Sequence, residues 1–193
     1  MRKHLLCAAL LAAGGVCAQA EETTWHFTYQ GFIDSATGLF DPDRQLTGTF
    51  RGSDGDGDGI IGVAELSYLS TGGYTYIAPA GEGCVDSTSP YLRCHVGAFS
   101  YALTGQLDFS AGYYGYDEHT SGWSGDIVTG SYFGHSRYGP LPEHNWSVRY
   151  DWSAQTTFVI TPPPVPEPGT WAMLLAGLSL AGLTWRPRSK ITL

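Results

Sequence analysis

Between residues 54 and 65 the chain reads Asp54-Gly55-Asp56-Gly57-Asp58-Gly59-Ile60-Ile61-Gly62-Val63-Ala64-Glu65. Three carboxylates fall on alternate positions, and a fourth closes the run. A hard divalent cation needs about six to eight oxygens at about 2.3–2.6 Å. Asp54, Asp56 and Asp58 can supply carboxylate oxygens, and Ile60 can offer its backbone carbonyl. Gly62 has no side chain and leaves its place to water, while Glu65 can close the shell with both oxygens. Gly59 permits the sharp turn such wrapping requires, and Ile61 is the apolar residue that would anchor the loop to a core. Three aspartates this close repel one another unless a cation sits among them. The chemistry implied is structural binding of Ca2+.

The run fits D-x-[DN]-x-[DN]-G-x5-E without a gap, and it resembles the EF-hand and dockerin-type calcium loop over these residues. The surroundings depart from that family. Residues 45–51 alternate as a strand does, with Leu46, Gly48 and Phe50 on one face, where an EF-hand has an entering helix. One loop is present and no second to pair with it. The resemblance therefore implies a structural site joining two strands, with one helical turn at 64–68, and no sensor-like opening.

Other reactive residues are few. Cys84 and Cys94 are the cysteines of the central body, and an exported setting favours a disulfide between them. A zinc site built on Cys84, Cys94 and His95 lacks a fourth ligand. Cys94 and His95, adjacent in an extended chain, point to opposite faces and cannot act as a nucleophile–base pair. Residues 134–139 (Gly-His-Ser-Arg-Tyr-Gly) are one residue too long for a nucleophile elbow. No H-E-x-x-H, phosphate loop or dinucleotide fingerprint occurs. No catalytic residue is assigned. The alternative reading is a secreted glycan-active hydrolase, whose two carboxylates would lie among the body's acids. The aromatic, glycine-rich stretch 112–123 is either a glycan-binding loop or a hairpin whose rings pack on the fold.

Charge narrows the partners. The body, residues 21–161, holds 17 of the 18 acidic residues and five of the 10 basic ones, none of them lysine. Its net charge is near −12. Such a surface is repelled by nucleic acid and by anionic membranes. It suits divalent cations and neutral, polar partners.

The elements that must position these residues read as strands. All 12 tyrosines and all eight phenylalanines lie in the body, and glycine and serine punctuate it. Trp25, Phe27 and Tyr29 alternate with polar residues. Further strand candidates are 45–51, 66–69, 74–77, 95–103, 106–109, 126–133, 146–152 and 156–160. Gly48 weakens its strand or marks a bulge. No run shows a 3.6-residue apolar period. The expectation is an all-β single domain, an antiparallel β-sandwich or jelly roll.

Both ends of the chain are addresses. Residues 1–20 have a basic start, an apolar run and the cleavage pattern Ala18-Gln19-Ala20, which is the form of a signal peptide. Residues 162–170 are a proline-rich linker. Residues 171–185 form an uncharged apolar run, about 22 Å long as a helix at ~1.5 Å per residue, and 186–193 are basic. The order Pro166-Glu167-Pro168, apolar helix, arginine-rich end resembles the PEP-CTERM sorting signal. That resemblance implies recognition by an exosortase, transient membrane insertion through the helix, and removal of the tail near the Pro-Glu-Pro motif. It further implies a Gram-negative surface or matrix protein, associated with exopolysaccharide and biofilm.

Overall fold

A strand buries aromatic rings when its period of two lines them on one face, and the first strand does so. Trp25, Phe27 and Tyr29 are buried, while their neighbours face solvent. The computed structural model describes residues 21–118 and 121–162. The signal residues with Ala18 and Ala20, the linker from residue 163, Pro166, Glu167, Pro168, the apolar run and the basic end lie outside the described residues.

The strands are β1 (Thr23–Asp34), β2 (Phe40–Gly52), β3 (Ile60–Gly62), β4 (Leu66–Thr71), β5 (Tyr74–Ile77) and β6 (Leu92–Ala102). They continue with β7 (Gln106–Tyr116), β8 (Gly122–Val128), β9 (Tyr132–Tyr138), β10 (Trp146–Asp151) and β11 (Thr157–Thr161). All pair antiparallel in the order β3-β6-β7-β8-β9-β10-β1-β2-β4-β5, with β11 also on β1. The fold is all-β and antiparallel, as expected. Its two packed layers are halves of one curled sheet.

The curl has a clear hinge. β10 pairs with β9 over six residues but with β1 only at Ile33 and Asp34. Beyond that corner β11 takes over the edge of β1, from Gln30 back to His26. The halves then close on an aromatic core. Phe27 meets Phe109 at 5.5 Å, Phe50 meets Phe99 at 5.1 Å, and Phe32 meets Phe133 at 4.8 Å. Tyr29 crosses the interior to donate its hydroxyl hydrogen to the Leu107 carbonyl at 2.8 Å. Edge-to-face contacts of this kind add to the burial of ring area.

Several strand limits differ from the sequence reading. Residues 126–133 are not one strand, because Ser131 N–H turns back to the Val128 carbonyl and separates β8 from β9. Of the two readings of 112–123 the hairpin holds, because 112–116 is the end of β7 and pairs with β8. The helical turn at 64–68 is a 3-10 turn confined to Val63–Glu65, since Leu66 already pairs with Gly52. Gly48 sits in regular register between Phe27 and Thr71 and marks no bulge. A methyl there would lie 2.7 Å from the Ser70 carbonyl and inside the Phe27 ring, so packing excludes a side chain.

The sheet's free margins are β3 at one end and β5 at the other. They are fastened twice. β3 lies between β2 and β4 in the chain, yet it pairs with β6 across the opening. Farther along, Cys84, in the 3-10 turn after β5, is disulfide-bonded to Cys94 of β6, with Cα atoms 5.5 Å apart.

Candidate metal centre

The carboxylate loop is an excursion from the β2–β4 hairpin. Its ends meet where Ser53 N–H donates to the Glu65 carbonyl at 3.3 Å. Its far side is β3. Ile61, opposite Tyr101, is fully buried and anchors the loop as the sequence implied.

Asp54 organises the turn. One oxygen accepts from Gly57 N at 2.8 Å and Asp58 N at 3.1 Å, and the other from Gly59 N at 2.9 Å. Asp58 accepts from Ile60 N at 2.7 Å. Gly59 lies at φ +83°, where a side chain would be strained. Within this frame, ligand atoms of Asp54, Asp56 and Asp58 all lie within 4.8 Å of one another.

Ile60 opens β3, and register fixes the direction of its carbonyl. Gly59 O accepts from Leu103 N at 2.9 Å, so the Ile60–Ala102 pair is the non-hydrogen-bonded kind. Backbone groups of such a residue point away from the partner strand, and the Ile60 carbonyl is left to the loop side.

Glu65 stands apart from this group. Its Oε1 accepts from Gly55 N at 2.7 Å and its Oε2 from Gly62 N at 2.9 Å. These bonds, Gly62's first and Gly55's second, stabilise the carboxylate and hold its pKa below the usual carboxylate range. Three of the five sequence-read ligands, Asp54, Asp56 and Asp58, thus lie together. The fifth braces the two ends of the same loop.

A hollow of about 560 Å³ lies between β1-β2-β4 and β7-β8-β9. Its lining includes His26, His135, Tyr113 and one carboxylate residue, Asp126. Tyr113 faces inward and stacks on Tyr74 at 3.7 Å.

The opposite face of β7–β9 carries a group the sequence reading did not assemble. Tyr114 and Tyr116 project outward with Tyr138 of β9 and with Tyr91, just before β6. The Tyr91 and Tyr116 ring centres are 5.8 Å apart, and those of Tyr114 and Tyr116 6.0 Å. The Tyr114 and Tyr138 hydroxyls are 3.0 Å apart. Spacing by two marked Tyr114 and Tyr116 in the sequence. Tyr91 and Tyr138 join them only through cross-strand register.

Comparison with known proteins adds the address. Residues 164–189 match the PEP-CTERM protein-sorting motif. That motif implies export and exosortase-dependent sorting to the cell surface or exterior. No curated protein and no solved structure matches the chain.

Proposed function

We propose that the protein is a displayed, non-catalytic component of the extracellular matrix: a β domain fastened by Ca2+, sorted by an exosortase and associated with exopolysaccharide. The observation that carries this reading is the position of the carboxylate loop. The loop that gathers Asp54, Asp56 and Asp58 runs directly into β3, the strand that pairs with β6 across the opening. An ion there holds the seam closed in the exterior, where calcium is plentiful. Asp54, Asp56, Asp58 and the Ile60 carbonyl would hold it, and Glu65 would complete the shell by turning one oxygen from its amide donors. Glycan hydrolysis needs a carboxylate pair across one cleft, and Asp126 is alone in the large hollow.

The test is calcium-dependent melting of the processed protein. An ion present at 100 times its Kd adds about 2.7 kcal/mol, a shift of several degrees. Asp54→Ala should abolish that shift, and magnesium should produce little of it. The same calcium response in wild type and Asp54→Ala would show mere screening of the acidic surface and would end the proposal.

A further inference from the structure

The outward tyrosines contribute nothing to the core, yet their rings are held in place. Tyr91, Tyr114, Tyr116 and Tyr138 are 39, 45, 37 and 40% exposed. Tyr91 donates its hydroxyl hydrogen to Glu118. The bond between the Tyr114 and Tyr138 hydroxyls ties β7 to β9 across the narrower β8. Gly122 lies beneath Tyr138, whose ring rests where a Cβ would be. One face of that ring covers backbone and the other meets solvent. Tyrosine has two rotatable bonds, so fixing it costs little entropy, and it presents a flat apolar face with a polar tip.

The array borders a cleft. A hollow of about 220 Å³ is lined by Tyr114, Tyr116, Asp117, Ser121 and Tyr138.

Chemistry narrows the occupant. The body's net charge near −12 repels polyanions, among them uronate-rich polysaccharides and nucleic acid. An apolar protein surface would strip water from the phenol tips and from the Glu118 carboxylate that Tyr91 holds, and would offer no hydrogen bonds in return. A neutral polysaccharide offers C–H faces to the rings and hydroxyls to the phenols. We infer that the Tyr91–Tyr114–Tyr116–Tyr138 face and its cleft bind a linear neutral polysaccharide. The inference rests on the polysaccharide association proposed above and assigns it a surface.

Affinity electrophoresis of the exported, processed protein tests it. The gels contain hydroxyethyl cellulose, galactomannan, alginate or the host's own exopolysaccharide. Wild type should be retarded by at least one neutral polymer and not by alginate. Tyr114→Ala and Tyr138→Ala should each weaken that retardation about tenfold, the weight of one aromatic contact. Tyr114→Phe, which keeps the ring, should bind nearly as wild type, and melting curves show which variants remain folded. Retardation unchanged in folded alanine variants would overturn the assigned surface while leaving polysaccharide association in place. Retardation by alginate alone would overturn the neutral class. No retardation by any polymer, the host's included, would overturn both.

Discussion

Two tyrosine hydroxyls, those of Tyr76 and Tyr101, are buried without a hydrogen-bond partner among the described residues. An orphaned polar group costs about 1–3 kcal/mol. Tyr101→Phe, which keeps the ring against Trp25 and Phe50, should therefore match or exceed wild type in melting temperature. A loss of several degrees would reveal a partner. Burial also suppresses ionisation: it pushes Tyr113 up to about 12 and raises Tyr29, Tyr76 and Tyr101 above the ordinary value. The folded state thus holds protons that the unfolded chain releases near pH ~10. This stabilisation is complete below that value and is lost as pH rises toward about 12. Phenolate absorbance and circular dichroism should show the last tyrosines ionising together with unfolding. Their ionisation while the sheet stays intact would contradict their burial.

At the scale of elements, the excursion between β2 and β4 matters most. Its legibility in the sequence was uneven. The residues that turn the chain were plain, because carboxylates on alternate positions and Gly59 have one economical geometry. The limits of β5 were plain too, set by Gly72-Gly73 before it and Pro79 after it. β3 was not legible: three residues have no period, and their partner, β6, lies some forty positions on. The break between β8 and β9 was signalled by Thr129-Gly130-Ser131, with Gly130 at φ +73°, but was hidden because strand formers stand directly on both sides, Ile127-Val128 and Tyr132-Phe133. Ile61→Ala tests the anchor. Ile61 is fully buried, so the change should cost about 2–5 kcal/mol and should also weaken calcium binding measured by titration calorimetry. An unaltered calcium affinity would show that the loop keeps its shape without β3.

For the whole molecule, two fasteners close one seam. Removing the Cys84–Cys94 bond should cost about 2–3 kcal/mol in the chain-entropy view. With the loop intact, the seam should stay shut. Asp54→Ala alone should likewise leave it held by the disulfide. Combining Asp54→Ala with Cys94→Ser should cost more than the sum of the two, because neither clasp is left. A double-mutant cycle in calcium reads the coupling, and additivity within about 0.3–0.5 kcal/mol would mean that the clasps act independently. The address makes its own prediction. Intact-mass measurement of exported protein should find residues 1–20 and the tail from Trp171 onward removed, and retention of Trp185 would mark a permanent anchor instead.

The place of β11 has a mechanical consequence. It is the last described strand before the sorting motif, and it lies along β1 in five consecutive pairs, from Gln30–Thr157 to His26–Thr161. A load drawn through the C-terminal end and along the strand axis would stress those pairs together, in shear, instead of peeling them one at a time. The tyrosine face is on the other half of the sheet, so a load between an attached C-terminal end and a captured polymer would divide between the β10–β1 corner and the seam. Its two clasps would then act as rivets, and calcium would set how much tension the joint bears before it yields.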